Sequence, residues 1–393
     1  MSLRLTIVSE TYFPQINGVS RTLDKLVGHC LDRGDEVQLI VPRYPEPFGP
    51  QRPGVFREEL RGIRLPFYRE IVLPLASPRG IRRRLQGFGS QLLHIATEGP
   101  LGWAALRASA ALRLPTVSSY HTNFPQYFAQ YRAGLLTPSV WRYLRWFHNA
   151  TLATFCPTPS IKGLLEERGF RNVDLWGRGV DSRLFHPGRR SEELRRSLGF
   201  APDEIVVVYL GRLAAEKNLD ALLAAWLQLP VEAPCRLLVI GDGPLRPRLE
   251  AAAGPKAVFA GYRKGDDLAN MLAAGDLMVF PSLTDTFGNV MLEAMASGLP
   301  VVGFDVSGPK DVLVDGQTGC LVREIAARPL ALAVAGLATR PELLREMGRK
   351  ARIFAENQNW TRIMEQIREH YLSLALPGNR CGVRSEHADR NPA

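Results

Sequence analysis

Apolar residues along this chain keep two rhythms, and the rhythms alternate. Leu3–Val8 is a short apolar block of strand character, followed by a loop rich in Pro, Gly and Asn. From Arg21 to Arg33 the apolar positions Leu23, Leu26, Val27, Cys30 and Leu31 fall at helical spacing, and Gly34 ends the run. Glu36–Val41 is apolar again over strand length. A strand, a helix and a strand in that order predict a parallel sheet, because parallel neighbours need a crossover. The same alternation continues through a strand at Leu92–Ala96, a helix at Leu101–Leu112 and a strand at Thr116–Ser119. It restarts at Ile205–Leu210, with a helix at Leu219–Leu227 and strands at Arg236–Ile240, Val258–Phe259, Leu277–Phe280 and Pro300–Phe304. The pattern predicts an α/β protein of two doubly wound halves. They join around Trp176–Ser191, which is rich in Gly, Pro and Arg. The expected division is a first domain over 1–180, a second over 181–358, a helix over 359–376 returning to the first, and a polar, disordered tail over 377–393.

Length agrees with that division, since 393 residues exceed what one ordinary core organises. Apolar residues at 46% and charged residues at 22% suit a globular enzyme. No apolar run is long enough to span a membrane, and the opening MSLRLTIVSE turns polar too soon for a secretory signal. Cys30, Cys156, Cys235, Cys320 and Cys381 lack metal-ligand spacing and read as reduced thiols of a cytoplasmic protein. The formal charge of +10 points to an anionic partner, or only to solvating arginines. The arginines at 79 and 82–84 are not interleaved with aromatic residues, so nucleic acid is not expected. An anionic membrane surface fits better. Trp141, Leu144, Arg145 and His148, within LLTPSVWRYLRWFHNA, mix apolar and basic character on one predicted helix. The same stretch also reads as a core-packing helix.

Open α/β sheets bind ligands at the carboxyl ends of their strands, so the loops there carry the candidate chemistry. After Ile205–Leu210 comes GRLAAEKN, where Gly211 permits close backbone approach and Arg212 and Lys217 place two cations on one turn, a pattern suited to a diphosphate. IGDGPLRPRLE has only two glycines and reads as a tight turn lining the cleft, not a dinucleotide fingerprint. In PQINGVSRT, Asn17 and Gly18 precede a helix; the stretch reads as an anion loop or as a turn with Ser20 as N-cap. In SSYHTNFPQY, His121 follows a strand and would sit at the cleft or serve structure. In FPSLTDTFGNVMLEAMASG, a helical stretch from Asn289 to Ala296 carries Glu293 in an otherwise apolar body, and Asp285 lies in the turn before it. Glu293 reads as an acceptor for paired ligand hydroxyls or as a buried ion pair with an arginine. Asp285 reads as an acceptor for sugar hydroxyls or as an N-cap.

Taken together, NGVSRTL, SYHT, GRGVDSRLFHP, GRLAAEKN, VFPSLTDTFGNVMLEAMASGLPVV and GPKDVLVDGQTGCLV resemble, in order and spacing, the family 4 glycosyltransferases of the GT-B fold. The resemblance covers roughly residues 1 to 375. Within the family the motifs are similar to those of bacterial GDP-mannose-dependent α-mannosyltransferases and of sulfoquinovosyl- and glucuronosyl-diacylglycerol synthases. The resemblance implies two Rossmann-like domains facing across a cleft. It also implies a retaining, metal-independent transfer of a hexosyl unit from a GDP- or UDP-linked sugar to a lipid or saccharide acceptor, with no further cofactor. It places Gly18, Arg212 and Lys217 at the donor diphosphate, His121 and Asp285 at the donor sugar, and Glu293 at the ribose. Backbone groups of Thr286, Phe287, Gly288 and Asn289 face sugar and phosphates. Asp285 is one methylene shorter than the family's usual glutamate at that position. The implied location is cytoplasmic, with peripheral attachment to the inner membrane face. The competing expectations are another GT-B enzyme, such as a nucleotide-sugar 2-epimerase, or a non-catalytic sugar- or nucleic-acid-binding protein.

Overall fold

The computed structural model describes residues 2–15, 17–44, 52–65, 68–121, 137–230 and 233–375; the expected tail over 377–393 lies outside them. The first half contains strands β1 (Arg4–Val8), β2 (Glu36–Pro42), β3 (Val55–Leu60), β4 (Gly62–Leu65), β5 (Tyr68–Pro74), β6 (Leu92–Ile95), β7 (Thr116–Ser119), β8 (Thr154–Cys156) and β9 (Val173–Leu175). Seven of these form one sheet in the order β3-β2-β1-β6-β7-β8-β9, all parallel, while β4 and β5 make a separate antiparallel hairpin. The second half contains β10 (Ile205–Leu210), β11 (Cys235–Ile240), β12 (Ala257–Gly261), β13 (Leu277–Phe280), β14 (Val301–Phe304) and β15 (Gly319–Val322), in the parallel order β12-β11-β10-β13-β14-β15.

Both sheets are covered on two faces, which explains why strands such as β10 and β13 read as unbroken apolar runs. Along β10, Val206, Val208 and Leu210 enter one core and Val207 and Tyr209 the other. In the first half, Leu5 and Ile7 of β1 pack against Leu23, Leu26 and Val27 of the helix Gly18–Asp32, and Val8 points to the opposite layer with Leu101, Ala104 and Phe147. The helix Trp360–Ala375 returns to this half and buries Met364, Ile367 and Tyr371 beside them. Its hold is polar as well: Tyr371 Oη lies 2.8 Å from Nδ1 of the buried His94, and Arg368 clamps Asp35 at 2.7 and 2.9 Å. Among the described residues no helix is long and apolar enough to cross a membrane.

The stretch joining the halves is anchored by buried residues, although Asp181, Arg183, Pro187, Gly188 and Arg190 remain exposed. Trp176, Arg178 and Phe185 are buried. Arg352 donates to the carbonyls of Ser182, Phe185 and Ala296, tying the connection to the helix Asn289–Ala296. In each sheet the strand order reverses once, between β1 and β6 and between β10 and β13. Loops leaving the carboxyl ends of strands there diverge and open a crevice.

Candidate active site

The loop after β10 is shaped by its neighbours. Tyr209 Oη donates to the carbonyl of Arg212 at 3.0 Å, and Gly241, at the end of β11, approaches so near the Gly211 carbonyl that a Cβ would overlap it. The two glycines of IGDGP are therefore packing glycines of a tight turn, as their spacing predicts. A one-turn helix, Ala215–Lys217, ends on Asn218 in the left-handed region (φ 53°), and Asn218 Nδ2 donates to the Pro281 carbonyl at 3.0 Å. That bond ties the loop after β10 to the loop after β13. Arg212 stands exposed at the start of the turn.

Lys217 Nζ lies 2.6 and 2.9 Å from the two carboxylate oxygens of Asp285. The N-cap reading of Asp285 is thereby replaced. The helix Asn289–Ala296 is capped by Gly288, whose φ of 82° suits glycine, and no side chain caps it. Asp285 is left for a charge-assisted contact that both of its oxygens share.

Glu293 sits in the body of that helix, 9% exposed. One oxygen is 3.1 Å from Nη1 of Arg21, which comes from the opposite half; the other is buried and has no partner among the described residues. Burial raises the Glu293 carboxyl above its ordinary value, and the Arg21 charge pulls it back. Near this pair the two halves meet end to end: a Cβ on Gly18 would lie 3.6 Å from Asn289 Nδ2. The cap of the Gly18–Asp32 helix is Asn17, which accepts from Ser20 N at 2.9 Å, while Ser20 Oγ accepts from Asn17 N at 3.0 Å. The expectation that Ser20 caps the helix is corrected: Ser20 is the reciprocal partner in a capping box.

His121 follows β7, and its carbonyl accepts from Thr286 Oγ1 at 3.0 Å, a second contact between the halves. Its Nδ1 is 3.0 Å from Nη2 of Arg178. A guanidinium only donates, so Nδ1 accepts and the proton of the neutral ring belongs on Nε2, which is buried without a partner among the described residues. Burial, then the Arg178 charge, hold the imidazole well below its usual range, with His94 and His148 adding in the same direction. His121 is thus a neutral hydrogen-bond donor.

The structure brings Gly18, Asn289 and Glu293 together on one side, Lys217 and Asp285 in direct contact, and Thr286 against His121. Three contributors lie in quoted motifs without having been singled out. Arg21 meets Glu293, Arg178 orients His121, and Asp311 Oδ1 accepts from Ser160 N at 3.0 Å across the halves. The basic and apolar helix divides differently from its sequence reading. In Thr137–Asn149, Leu144 and His148 are buried, and Trp141 packs edge-on to Phe170 beneath the Arg168 guanidinium. The exposed face carries Arg142, Tyr143, Arg145 and Trp146.

Two family patterns match the chain: "Glycosyltransferase Family 4" over residues 16–184 and "Glycosyl transferases group 1" over residues 204–340. A GDP-mannose-dependent alpha-mannosyltransferase of Mycobacterium tuberculosis is 34% identical, with 95% of this chain and 97% of the relative aligned. Sulfoquinovosyl transferase SQD2 of Arabidopsis thaliana is 31% identical, over 94% of this chain and 73% of that protein. Among solved structures, Anabaena Alr3699/HepE in complex with UDP and glucose superposes with a TM-score of 0.74 at 18% identity, covering 94% of this chain and all of that one (100%), and shares its fold.

Proposed function

The chain belongs to glycosyltransferase family 4, a hexosyltransferase of the GT-B fold, and on that premise we propose that it retains anomeric configuration and needs no metal. The donor is a GDP- or UDP-linked hexose, with GDP-mannose the first candidate, and the acceptor is a hydroxyl of a lipid or saccharide. One observation carries the reading. Lys217 and Asp285 meet at the switch point of the second sheet, and Glu293, eight positions beyond Asp285, faces the first half beside Gly18 and Asn289.

The C1–O bond to the diphosphate breaks and negative charge develops on the leaving oxygen. Arg212, Lys217 and the backbone N–H groups of Gly288 and Asn289 stabilise that charge, the task a metal performs elsewhere. The acceptor oxygen bonds to C1 on the face the diphosphate leaves, and its proton passes to a diphosphate oxygen. No enzyme base is required, which accords with a His121 held neutral and donating. Asp285 and His121 position the sugar, and Glu293 accepts from the ribose. A lipid acceptor implies peripheral contact with the cytoplasmic membrane face. Support for that contact comes from exposed Tyr143 and Trp146 beside exposed Arg142 and Arg145 on one helix, with Trp103, Arg82 and Arg83 also exposed.

The test is turnover with GDP-mannose and a panel of UDP-hexoses on diacylglycerol and glycolipid acceptors, with and without chelator, reading the product anomer by NMR. An α-linked product from an α-linked donor, unaffected by chelator, is expected. A β-linked product, a requirement for divalent cation, or epimerised free sugar with no transfer would each overturn the reading.

A further inference from the structure

Arg21 lies on the first turn of the Gly18–Asp32 helix, three residues past Gly18, and Glu293 lies four residues past Asn289 on the facing helix. Residues three and four apart share a helix face. The contact that brings Gly18 to Asn289 therefore also brings Arg21 to Glu293, one turn further along both helices. The resulting pair is lopsided. Oε1 is held at 3.1 Å, while Oε2 is buried and unpartnered among the described residues. A buried carboxylate oxygen without a partner carries a desolvation cost that an incoming donor would relieve. Arg21 itself remains part exposed, at the edge of the crevice.

We propose that Arg21 is a positioning residue for nucleotide recognition: it fixes Glu293 from the opposite domain so that the free oxygen accepts the ribose hydroxyls of the nucleoside diphosphate. The inference rests on the reading of Glu293 as the ribose acceptor. It adds that the acceptor is complete only when the domains approach, because the group that orients it belongs to the other half. Ribose recognition and domain closure are then one event, and a diphosphate lacking the ribose hydroxyls forfeits both. The arginine does not bind the sugar being transferred, so its loss acts on donor affinity and spares the chemical step.

The experiment measures affinity of the full-length protein for GDP and UDP and for their 2′,3′-dideoxy counterparts by calorimetry, in wild type, Arg21→Met, Arg21→Lys and Glu293→Gln. Wild type is expected to prefer the ribo-form by about ten- to a hundredfold, the range of a hydrogen bond to a charged acceptor. Arg21→Met should weaken ribonucleotide binding by about tenfold, leave the dideoxy affinity unchanged, and raise the donor KM with little change in kcat. Arg21→Lys should restore part of the preference. If wild type prefers the ribo-form, Glu293→Gln abolishes the preference and Arg21→Met keeps it, the role of Arg21 is overturned and that of Glu293 stands. Tighter ribonucleotide binding by Arg21→Met would mean that the ion pair competes with the ligand, and overturns the proposal. No ribo-preference in wild type overturns both readings.

Discussion

Lys217 and Asp285 form a short, two-oxygen ion pair between residues 68 apart in sequence, and the pair sets what each can do. Without donor the lysine charge is largely spent on the aspartate. On the proposed reading, a bound diphosphate would share the lysine and release the aspartate toward the sugar. Replacing Lys217 or Arg212 by Ala should each lower kcat/KM by two to three decades, since a charge-assisted contact to a developing anion is worth roughly 2–4 kcal/mol. Asp285→Asn should lower kcat more than it raises KM, because sugar positioning matters most at the transition state. The two positions touch, so the double variant Lys217→Ala/Asp285→Asn should lose less than the sum of the singles. Full additivity, or near-wild-type turnover in Lys217→Ala and Arg212→Ala, would remove the shared role. The candidate residues themselves were legible, because strand-end loops with paired cations or a carboxylate in an apolar helix stand out from their surroundings. Their partners were not. Arg21 and Glu293 are 272 residues apart, and Arg178 and His121 are 57 apart. No local pattern reports a contact between residues so far apart, whether it forms within one domain, as for Arg178 and His121, or across two, as for Arg21 and Glu293.

At the scale of elements, the central strands were readable because both of their faces are buried. β7, β10 and β13 match the expected strands to the residue. The strands that escaped notice are short or charged. β3 reads VFREEL and lies at a sheet edge, β8 and β9 have three residues each, and β15 is a four-residue edge strand led by glycine. An edge strand buries less side-chain surface and need not be apolar. The helix Thr137–Asn149 shows the converse problem: its sequence is amphipathic in either reading, and only packing says which face is outward. Leu144, Phe147 and His148 turn in, while Tyr143 and Trp146 turn out, their ring centroids 6.0 Å apart, with Arg142 and Arg145 beside them. Exposed aromatic and basic side chains on one face suit an anionic interface. The protein should therefore float with vesicles containing anionic lipid and not with neutral ones. Trp146→Ala combined with Arg142→Glu should reduce the bound fraction several-fold, because each basic residue near such a surface contributes about 1 kcal/mol, while turnover of a short-chain, water-soluble acceptor analogue stays unchanged. Arg84, tied to Glu58 at 2.6 Å and to the Gly80 carbonyl, should matter less than Arg82 or Arg83. Equal flotation of the double variant and wild type would move the membrane contact elsewhere.

The whole molecule is held at a double crossing. The chain leaves the first half through Gly179 and Val180 and returns through Gln358 and Asn359, and the two passages run parallel, with Val180 N donating to the Gln358 carbonyl at 3.0 Å. A Cβ on Gly179 would stand 2.8 Å from Trp360 N and 2.9 Å from the Gln358 oxygen, both backbone atoms that cannot swing aside. Arg178, the neighbour of this glycine, orients His121, and Arg352, near the end of the returning helix Pro341–Asn357, holds the carbonyl of Ala296 behind Glu293. The crossing is thus wired to both sides of the crevice, while Arg21–Glu293, Thr286–His121 and Asp311–Ser160 close it from the front. If closure pivots on the crossing, Gly179→Ala should force the passages apart and leave the crevice slightly open. Closure excludes water from the donor, so the expected signature is a donor hydrolysis to transfer ratio that rises several-fold, together with a fall of about tenfold in kcat/KM for transfer. Solution scattering should show less contraction on adding nucleoside diphosphate than in wild type. Gly336→Ala is the matched control, on the helix Ala327–Ala338 where the added methyl meets no atom within 4 Å, and it should stabilise by a few tenths to about 1 kcal/mol without touching either ratio. A Gly179→Ala protein that folds, contracts and partitions its donor as wild type does would place the pivot away from the crossing, and closure would then have to come from bending within the loops at the front of the crevice.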